Sequence, residues 1–168
     1  MKTILTISLA ISCIISGFGQ TGPVDFAQLK GILPIPVENY NAIKGCCIDQ
    51  YNQSRTLTLA DPFENQLRIA CDSNTTAIAW AEGKVEKLLQ SNSHWVVILS
   101  HNNFLTVYIN LSNLQIEAGQ DIKRLQPLGT VANVNGQYQL ELELWHKEST
   151  GNSPTVEKLD PKEWIRVN

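Results

Sequence analysis

The stretch that decides the fold is Gln137-Tyr138-Gln139-Leu140-Glu141-Leu142-Glu143-Leu144-Trp145. Apolar side chains at the even positions alternate with mostly polar or charged side chains at the odd positions. A two-residue period is typical of a β-strand that has one buried face and one exposed face. The stretch therefore predicts a half-buried antiparallel strand.

Segments on both sides of this stretch predict further short strands separated by turns. The predicted strands cover residues 40–48, 55–59, 66–71, 76–80, 84–90, 94–100, 105–110 and 131–133. Asp72-Ser73-Asn74 and His101-Asn102-Asn103 are predicted turns. Ile116, Ile122 and Leu128, six residues apart, predict short strands with tight corners at Gly119 and Gly129. The fold class predicted from this pattern is all-β.

Helix is expected only near the amino terminus, over residues 24–31. Pro34 and Pro36 follow shortly after this segment. Two prolines two residues apart exclude a helix over residues 31–37. At the other end, Asp160-Pro161 predicts a terminal turn that brings Trp164 onto the body of the domain.

The first residues predict export. Lys2 precedes an apolar run over residues 4–15, and Gly17 and Gly19 supply the small residues of a cleavage site, so residues 1–19 are predicted to be a secretory signal peptide. The alternatives are a membrane anchor, although the run is short and interrupted by polar residues, and a lipid-modified Cys13. Residues 20–32 are predicted to be a linker and residues 33–168 a single domain.

Composition narrows the function. The net charge of −3 argues against nucleic acid as a partner, which requires a basic surface. Beyond the predicted signal peptide, the cysteines are Cys46, Cys47 and Cys71. Export permits a disulfide between Cys71 and either Cys46 or Cys47, and the alternative is that all three are buried thiols.

Several motifs occur together in a recognisable order: Leu33-Pro34-Ile35-Pro36-Val37, Glu82-Gly83-Lys84-Val85, Tyr108-Ile109-Asn110-Leu111, the turns at Gly119 and Gly129, the strand 137–145, and Asp160-Pro161-x-x-Trp164. In this order they resemble the lysostaphin-type (LytM) zinc peptidases, which cut the peptide crossbridges of peptidoglycan. The resemblance covers about residues 33–164. It implies the all-β fold called the duplicated hybrid motif, a lysostaphin-like β-sandwich.

The resemblance also implies which positions should hold zinc. The family uses His-x-x-x-Asp and the second histidine of His-x-His as ligands, with further histidines in the central hairpin and in the first position of His-x-His. The aligned positions here are Glu64, Arg68, Asn110, Gln139 and Glu141. No catalytic residue, metal ligand or cofactor is therefore assigned, although zinc is the family's cofactor. An unconventional set of Glu64, Glu141 and one of His94, His101 or His146 is the alternative.

We therefore interpret the aligned positions as a vestigial groove. It comprises Glu64, Arg68, Asn110, Gln139, Glu141 and Trp145. One hypothesis is that the Arg68 cation replaces zinc between the two glutamates; the alternative is three unrelated exposed charges. For Trp145 the alternative is packing within the strand.

The predicted function is that of a secreted or periplasmic, non-catalytic peptidase-like domain. Its expected partner is peptidoglycan or a cell-wall hydrolase, with no membrane span after the signal peptide is removed. Two alternatives stand beside this prediction: an active zinc endopeptidase with unconventional ligands, and a structural protein of the envelope.

Overall fold

The fold is described by a computed structural model that covers residues 24–38, 65–91, 93–150 and 153–166, without the side chains of residues 149, 150, 153 and 154. Within these residues the chain forms ten β-strands and two short 3₁₀ helices, so the predicted all-β class is confirmed. The elements, in chain order, are η1 (Phe26–Leu29), β1 (Gln66–Cys71), β2 (Thr76–Ile78), β3 (Gly83–Ser91), β4 (His94–His101), β5 (Phe104–Ser112), β6 (Asp121–Ile122), β7 (Pro127–Val131), β8 (Asn133–Val134), β9 (Gln137–Thr150), β10 (Ser153–Leu159) and η2 (Pro161–Trp164).

Strand β9 pairs with β1, β5, β8 and β10 in a sheet whose main order is β1-β9-β5-β4-β3-β6. One edge of β9 pairs with β1 from Tyr138 to Glu143 and then with β10 from Leu144 onward. Its other edge pairs with β5 from Glu141 to His146. The whole ladder is antiparallel. Strand β9 therefore connects β1 and β10 on one side to the central hairpin β4–β5 on the other.

The predicted alternation along β9 is confirmed by burial. Leu140, Leu142 and Leu144 are fully buried, whereas Glu141 and Glu143 between them are only half-buried. The apolar face of β9 packs into a core shared with β1, β4 and β5. The opposite face keeps its polar side chains, and this difference between the two faces positions the candidate site.

The two ends of the described domain meet. Leu33 forms a parallel bridge with Ile165, in which the Leu33 amide donates to the Trp164 carbonyl oxygen at 3.0 Å and the Arg166 amide donates to the Leu33 carbonyl oxygen at 2.8 Å. Trp164 is buried, as the sequence predicted. Its ring centroid lies 5.1 Å from that of Phe26, whose ring also packs 5.1 Å from Phe104. The aromatic rings therefore fasten both terminal segments to the hairpin.

Part of the predicted linker is packed against the domain. Phe26 and Leu29, on η1, belong to the same buried core as the strands. The helix predicted over residues 24–31 is present only as the single turn Phe26–Leu29. The side chain of Asp25 caps it by accepting from the Ala27 amide at 3.2 Å.

Several predicted strands fall differently in the structure. Residues 40–48 and 55–59 lie outside the described residues. Strand β9 continues to Thr150, five residues past the predicted end, and β10 was not predicted at all. Thr155, Val156 and Glu157 of β10 are exposed and the strand contains a proline, so it carries no apolar alternation from which a strand is inferred. In the described part of the chain, no helix is long and apolar enough to cross a membrane.

Gly83 allows β3 and β4 to approach each other closely. A Cβ atom at this position would lie 2.3 Å from the Ser100 carbonyl oxygen and 2.6 Å from Nδ1 of His101. Backbone and a buried ring cannot move aside as the end of a flexible side chain can. Packing therefore requires glycine at position 83, in the motif Glu82-Gly83-Lys84-Val85.

Gly83→Ala is expected to lower the free energy of unfolding by about 3 kcal/mol, the upper part of the range for overpacked cores. Gly119→Ala is the matched control, because Gly119 has open space around it and only its φ of +79° penalises alanine. That strain costs roughly 1–2 kcal/mol. Urea denaturation of both variants would measure the difference, and equal losses would contradict the packing argument.

Candidate functional site

The polar face of β9 forms a continuous strip with its two edge partners. We call it the β9 strip, and it consists of Gln66 and Arg68 of β1, Gln139, Glu141, Glu143 and Trp145 of β9, and Lys158 of β10. In the strand register Gln66 lies opposite Glu143, Arg68 opposite Glu141, and Lys158 opposite Trp145. Directly opposed residues of an antiparallel pair project from the same face. The ladder thus brings together the predicted Arg68, Gln139, Glu141 and Trp145.

One end of the strip is organised around the Glu143 carboxylate. Its Oε1 accepts from Lys158 Nζ at 2.8 Å and from Gln66 Nε2 at 3.4 Å, and its Oε2 accepts from Trp145 Nε1 at 3.0 Å. The side chains of Glu143 and Lys158 are only 18% and 21% exposed. Partial removal from water strengthens this charge-assisted contact. Glu143 therefore holds the indole and the ammonium group in fixed positions.

The centre of the strip is organised around Glu141. Its Oε1 accepts from Gln139 Nε2 at 3.1 Å and its Oε2 from Gln66 Nε2 at 3.3 Å. Gln66 in turn accepts from Arg68 Nε at 3.4 Å through Oε1. A single buried glutamine amide thus connects Arg68 to both glutamates. Gln66, Glu143 and Lys158 were not among the predicted residues, although the two-residue spacing of Gln66 from Arg68 and of Glu143 from Glu141 could have indicated the first two.

Asn110 lies next to the strip, and its side chain is hydrogen-bonded to the backbone of β9. It is buried, its φ is 69°, and its side-chain amide donates to the Gln139 carbonyl oxygen at 3.1 Å. Its own carbonyl oxygen accepts from the Ala132 amide at 2.7 Å. The residue aligned with the family's hairpin histidine thus ties the end of β5 to β9 and to the segment after β7.

The far end of the strip opens into a cleft of about 490 Å³ beside the turn between β8 and β9. Its lining includes Arg68, Gln139, Tyr138 and Cys71. Cys71 is half-buried, and its Sγ lies 3.3 Å from the Ile69 carbonyl oxygen. Glu64, Cys46 and Cys47 lie outside the described residues, so the Arg68–Glu64 pairing and the disulfide stay predictions.

The three histidines lie in other surroundings. His101 is buried, with Nδ1 2.7 Å from the Glu82 carbonyl oxygen and Nε2 2.8 Å from Thr106 Oγ1. A carbonyl can only accept, so Nδ1 carries the proton and Nε2 accepts from the Thr106 hydroxyl. Both ring nitrogens are thereby used within the core, and His101 is not placed to ligate a metal ion.

His146 lies one residue beyond the stretch 137–145 from which the last strand was predicted. It lies within β9, is half-buried, and its ring centroid is 4.6 Å from that of Phe104. The strand continues because β10 supplies a pairing partner for residues 144–150. His94 begins β4, opposite Ser91 of β3.

The donor set at the aligned positions does not fit zinc. The guanidinium of Arg68 is a permanent cation without an acceptor lone pair, and it occupies the position of the ligand aspartate. Both oxygens of Glu141 already accept hydrogen bonds from glutamine side chains. Among the residues that the structure describes, no three His, Cys, Asp or Glu side chains are grouped to hold a metal ion.

Comparison with known proteins now identifies the family. The model of peptidase family M23 matches residues 63–153, which is more than half of the chain. The chain belongs to peptidase family M23, and the predicted resemblance to lysostaphin-type enzymes is confirmed. A search among curated proteins gives no match.

Solved structures show the same fold at low identity. Csd3 from Helicobacter pylori is 20% identical with a TM-score of 0.56, over 81% of this chain and 35% of that chain. A chain of the SpoIIQ–SpoIIIAH pore-forming complex is 15% identical with a TM-score of 0.57, over 82% and 92%. Lysostaphin, in an NMR solution structure, is 20% identical with a TM-score of 0.50, over 59% and 41%. This chain therefore spans less than half the length of Csd3 and lysostaphin, and the lysostaphin-like fold is confirmed.

The buried His101 makes stability depend on pH. Burial lowers the pKa of His101 below its ordinary value of 6.5, and the hydrogen bond to the Glu82 carbonyl opposes this only in part. Below pH 6.5 the unfolded chain takes up a proton that the folded chain rejects, so the free energy of unfolding falls as the pH decreases through this window. His101→Gln removes this titration. We expect its stability to fall less steeply between pH 7.5 and pH 5 than that of the wild type.

Urea denaturation at a series of pH values would check this, with the variant's curve subtracted from that of the wild type. The variant should be less stable at pH 7.5, because the stacking of His101 on Phe26, at 4.8 Å between centroids, is lost. Parallel curves over the acidic range would contradict the assignment of the titration to His101.

Proposed function

We propose that this chain is an exported member of family M23 that binds peptidoglycan without cleaving it. The observation that supports the proposal is the hydrogen-bonded polar surface at positions where the family's metal ligands align. Arg68 and Glu141 lie opposite each other where the family's ligands align, and Gln66 and Gln139 join them into one hydrogen-bonded set. Hydrolysis by this family needs a zinc-bound water, and this set offers no group that would supply it.

The retained polarity supports binding. A former active-site surface with no remaining role would be expected to present unconnected exposed side chains. Here the half-buried side chains of the β9 strip bond to one another, which reduces the entropy lost when a ligand fixes them. The strip is therefore pre-organised for recognition.

Export supports the same assignment. The segment 1–19 has the charge, apolar run and small residues of a signal peptide, and it precedes the described residues, which begin at residue 24. Outside the cytoplasm, in the periplasm or at the cell surface, the domain meets the wall polymer directly.

A partner protein is the second candidate. The fold covers 92% of a chain from the SpoIIQ–SpoIIIAH complex, whose name describes an assembly of two proteins. A cell-wall hydrolase regulated by this domain is the form of partner that the M23 membership favours.

The test uses the chain from residue 20 onward, purified without added metal, and insoluble peptidoglycan sacculi. We expect the protein to sediment with sacculi, to carry no stoichiometric zinc by atomic emission, and to release no soluble fragments. The double variant Arg68→Ala/Glu141→Ala should bind about tenfold more weakly, which corresponds to about 1.4 kcal/mol. The matched control is Lys123→Ala/Glu117→Ala, which removes the same charges from exposed positions elsewhere.

Three results would each overturn part of the proposal. Stoichiometric zinc together with fragment release would show an active peptidase. Failure to sediment, combined with capture of a wall hydrolase from envelope extract, would favour the partner protein. Failure of both would favour a structural role in the envelope.

A further inference from the structure

We infer that the β9 strip recognises the glycan of the wall polymer rather than its peptide: a neutral, hydroxyl-bearing saccharide chain that lies along β9 with one sugar ring against Trp145. This inference rests on the proposed function and specifies the ligand of the same surface. Three observations carry it: the charge balance of the strip, the fixation of Trp145, and the pairing of the β9 backbone.

The charges of the strip compensate one another. Lys158 bonds directly to Glu143 at 2.8 Å, and Arg68 lies opposite Glu141 in the ladder. The described residues of the strip therefore comprise two cations and two anions. A peptide with free carboxylates or amines gains no steering from such a surface, because attraction to one partner is offset by repulsion from the other. A neutral saccharide does not depend on electrostatic steering, so the charge balance does not weaken its binding.

Trp145 has the features of a fixed aromatic platform. Its indole N–H is bonded to Glu143, and the Lys158 ammonium lies 5.7 Å from the ring centroid while bonded to that same carboxylate. The indole is half-buried and thus held in one orientation. A pyranose ring has an apolar C–H face surrounded by hydroxyl groups, which suits a flat ring bordered by a carboxylate and an ammonium group.

Glu141 supplies the acceptor that sugar hydroxyls require. A carboxylate has about four lone-pair positions, and Glu141 uses two of them for Gln66 and Gln139. Along β9 the strip extends from Gln139 to Trp145, roughly 20 Å at about 3.4 Å per residue. This length accommodates several linked sugar rings.

The backbone of β9 argues against an extended peptide. Peptides commonly bind sheets by adding a strand to a free edge, where main-chain hydrogen bonds supply the affinity. From Glu141 to His146 both edges of β9 are already paired, with β5 on one side and with β1 or β10 on the other. Only side chains are available on this face, which suits a ligand recognised through hydroxyl groups.

The experiment titrates the intact chain from residue 20 with tetrameric N-acetylglucosamine and, separately, with pentaglycine. Binding is followed by NMR at the indole N–H of Trp145 and by calorimetry. We expect saturable binding of the saccharide, a Trp145 shift, and little change in affinity between 50 and 500 mM salt, since the ligand is neutral. Pentaglycine should not bind.

Variants separate the ring from general effects on folding. Trp145→Ala should weaken saccharide binding at least tenfold, and Trp145→Phe, which keeps an aromatic ring, should recover part of the loss. Leu125→Ala is the control, because Leu125 is a large exposed apolar residue that lies off the strip. If Trp145→Ala does not fold, the Phe variant and the wild-type shift map still decide the question.

The outcomes distinguish this inference from the proposed function. Binding of pentaglycine in place of the saccharide, with sedimentation on sacculi retained, would overturn the inference and leave the proposed function standing. Saccharide binding without any shift of Trp145 would overturn the assigned site. Failure to bind either probe or sacculi would overturn both.

Discussion

The structure depends on the two-faced, doubly paired strand β9. Leu140, Leu142 and Leu144 are withdrawn completely from water on one face, and burial of each such side chain contributes about 1.5–3 kcal/mol. A shift of register by one residue would bury Glu141 and Glu143 in place of the leucines. Because both edges of the strand are paired, this register also fixes the positions of β1, β5 and β10.

The same constraint determines the chemistry of the opposite face. The ladder places side chains from three strands opposite one another. Their polar groups are partly buried, so water alone cannot satisfy their hydrogen bonds. Glu143 and Gln66 meet this requirement by bonding several neighbours each. Hydrogen bonds between side chains therefore organise this surface.

The sequence predicted the alternation of β9, the short strands around it and the family, because each depends on local period and on motif order. Strand β1 was predicted with its observed bounds, 66–71. Strand β10 could not be predicted, since it is stabilised by pairing with β9 rather than by any apolar pattern of its own.

The candidate site, like the fold, could be predicted only in part. Arg68, Gln139 and Glu141 follow from alignment, and Trp145 follows from its place on the same strand. Lys158 reaches the strip only through the β10 pairing, and the contact of Asn110 with the backbone depends on its positive φ. Asn135-Gly136, with both φ angles positive, is a tight-turn signal that the sequence does contain.

The bridge between Leu33 and Ile165 has a topological consequence. The two terminal segments lie side by side: a pair of backbone hydrogen bonds joins Leu33 to the segment 164–166, and the ring centroids of Phe26 and Trp164 are 5.1 Å apart. Domains with adjacent ends tolerate insertion into a host protein and circular permutation. A connection from the segment after Trp164 to the segment before Phe26 could close the chain while new ends are opened at the exposed Asn135–Gly136 turn, which would leave the pairing of β9 with β1, β5 and β10 in place. The contact between the terminal segments therefore predicts that a circularly permuted chain keeps this sheet.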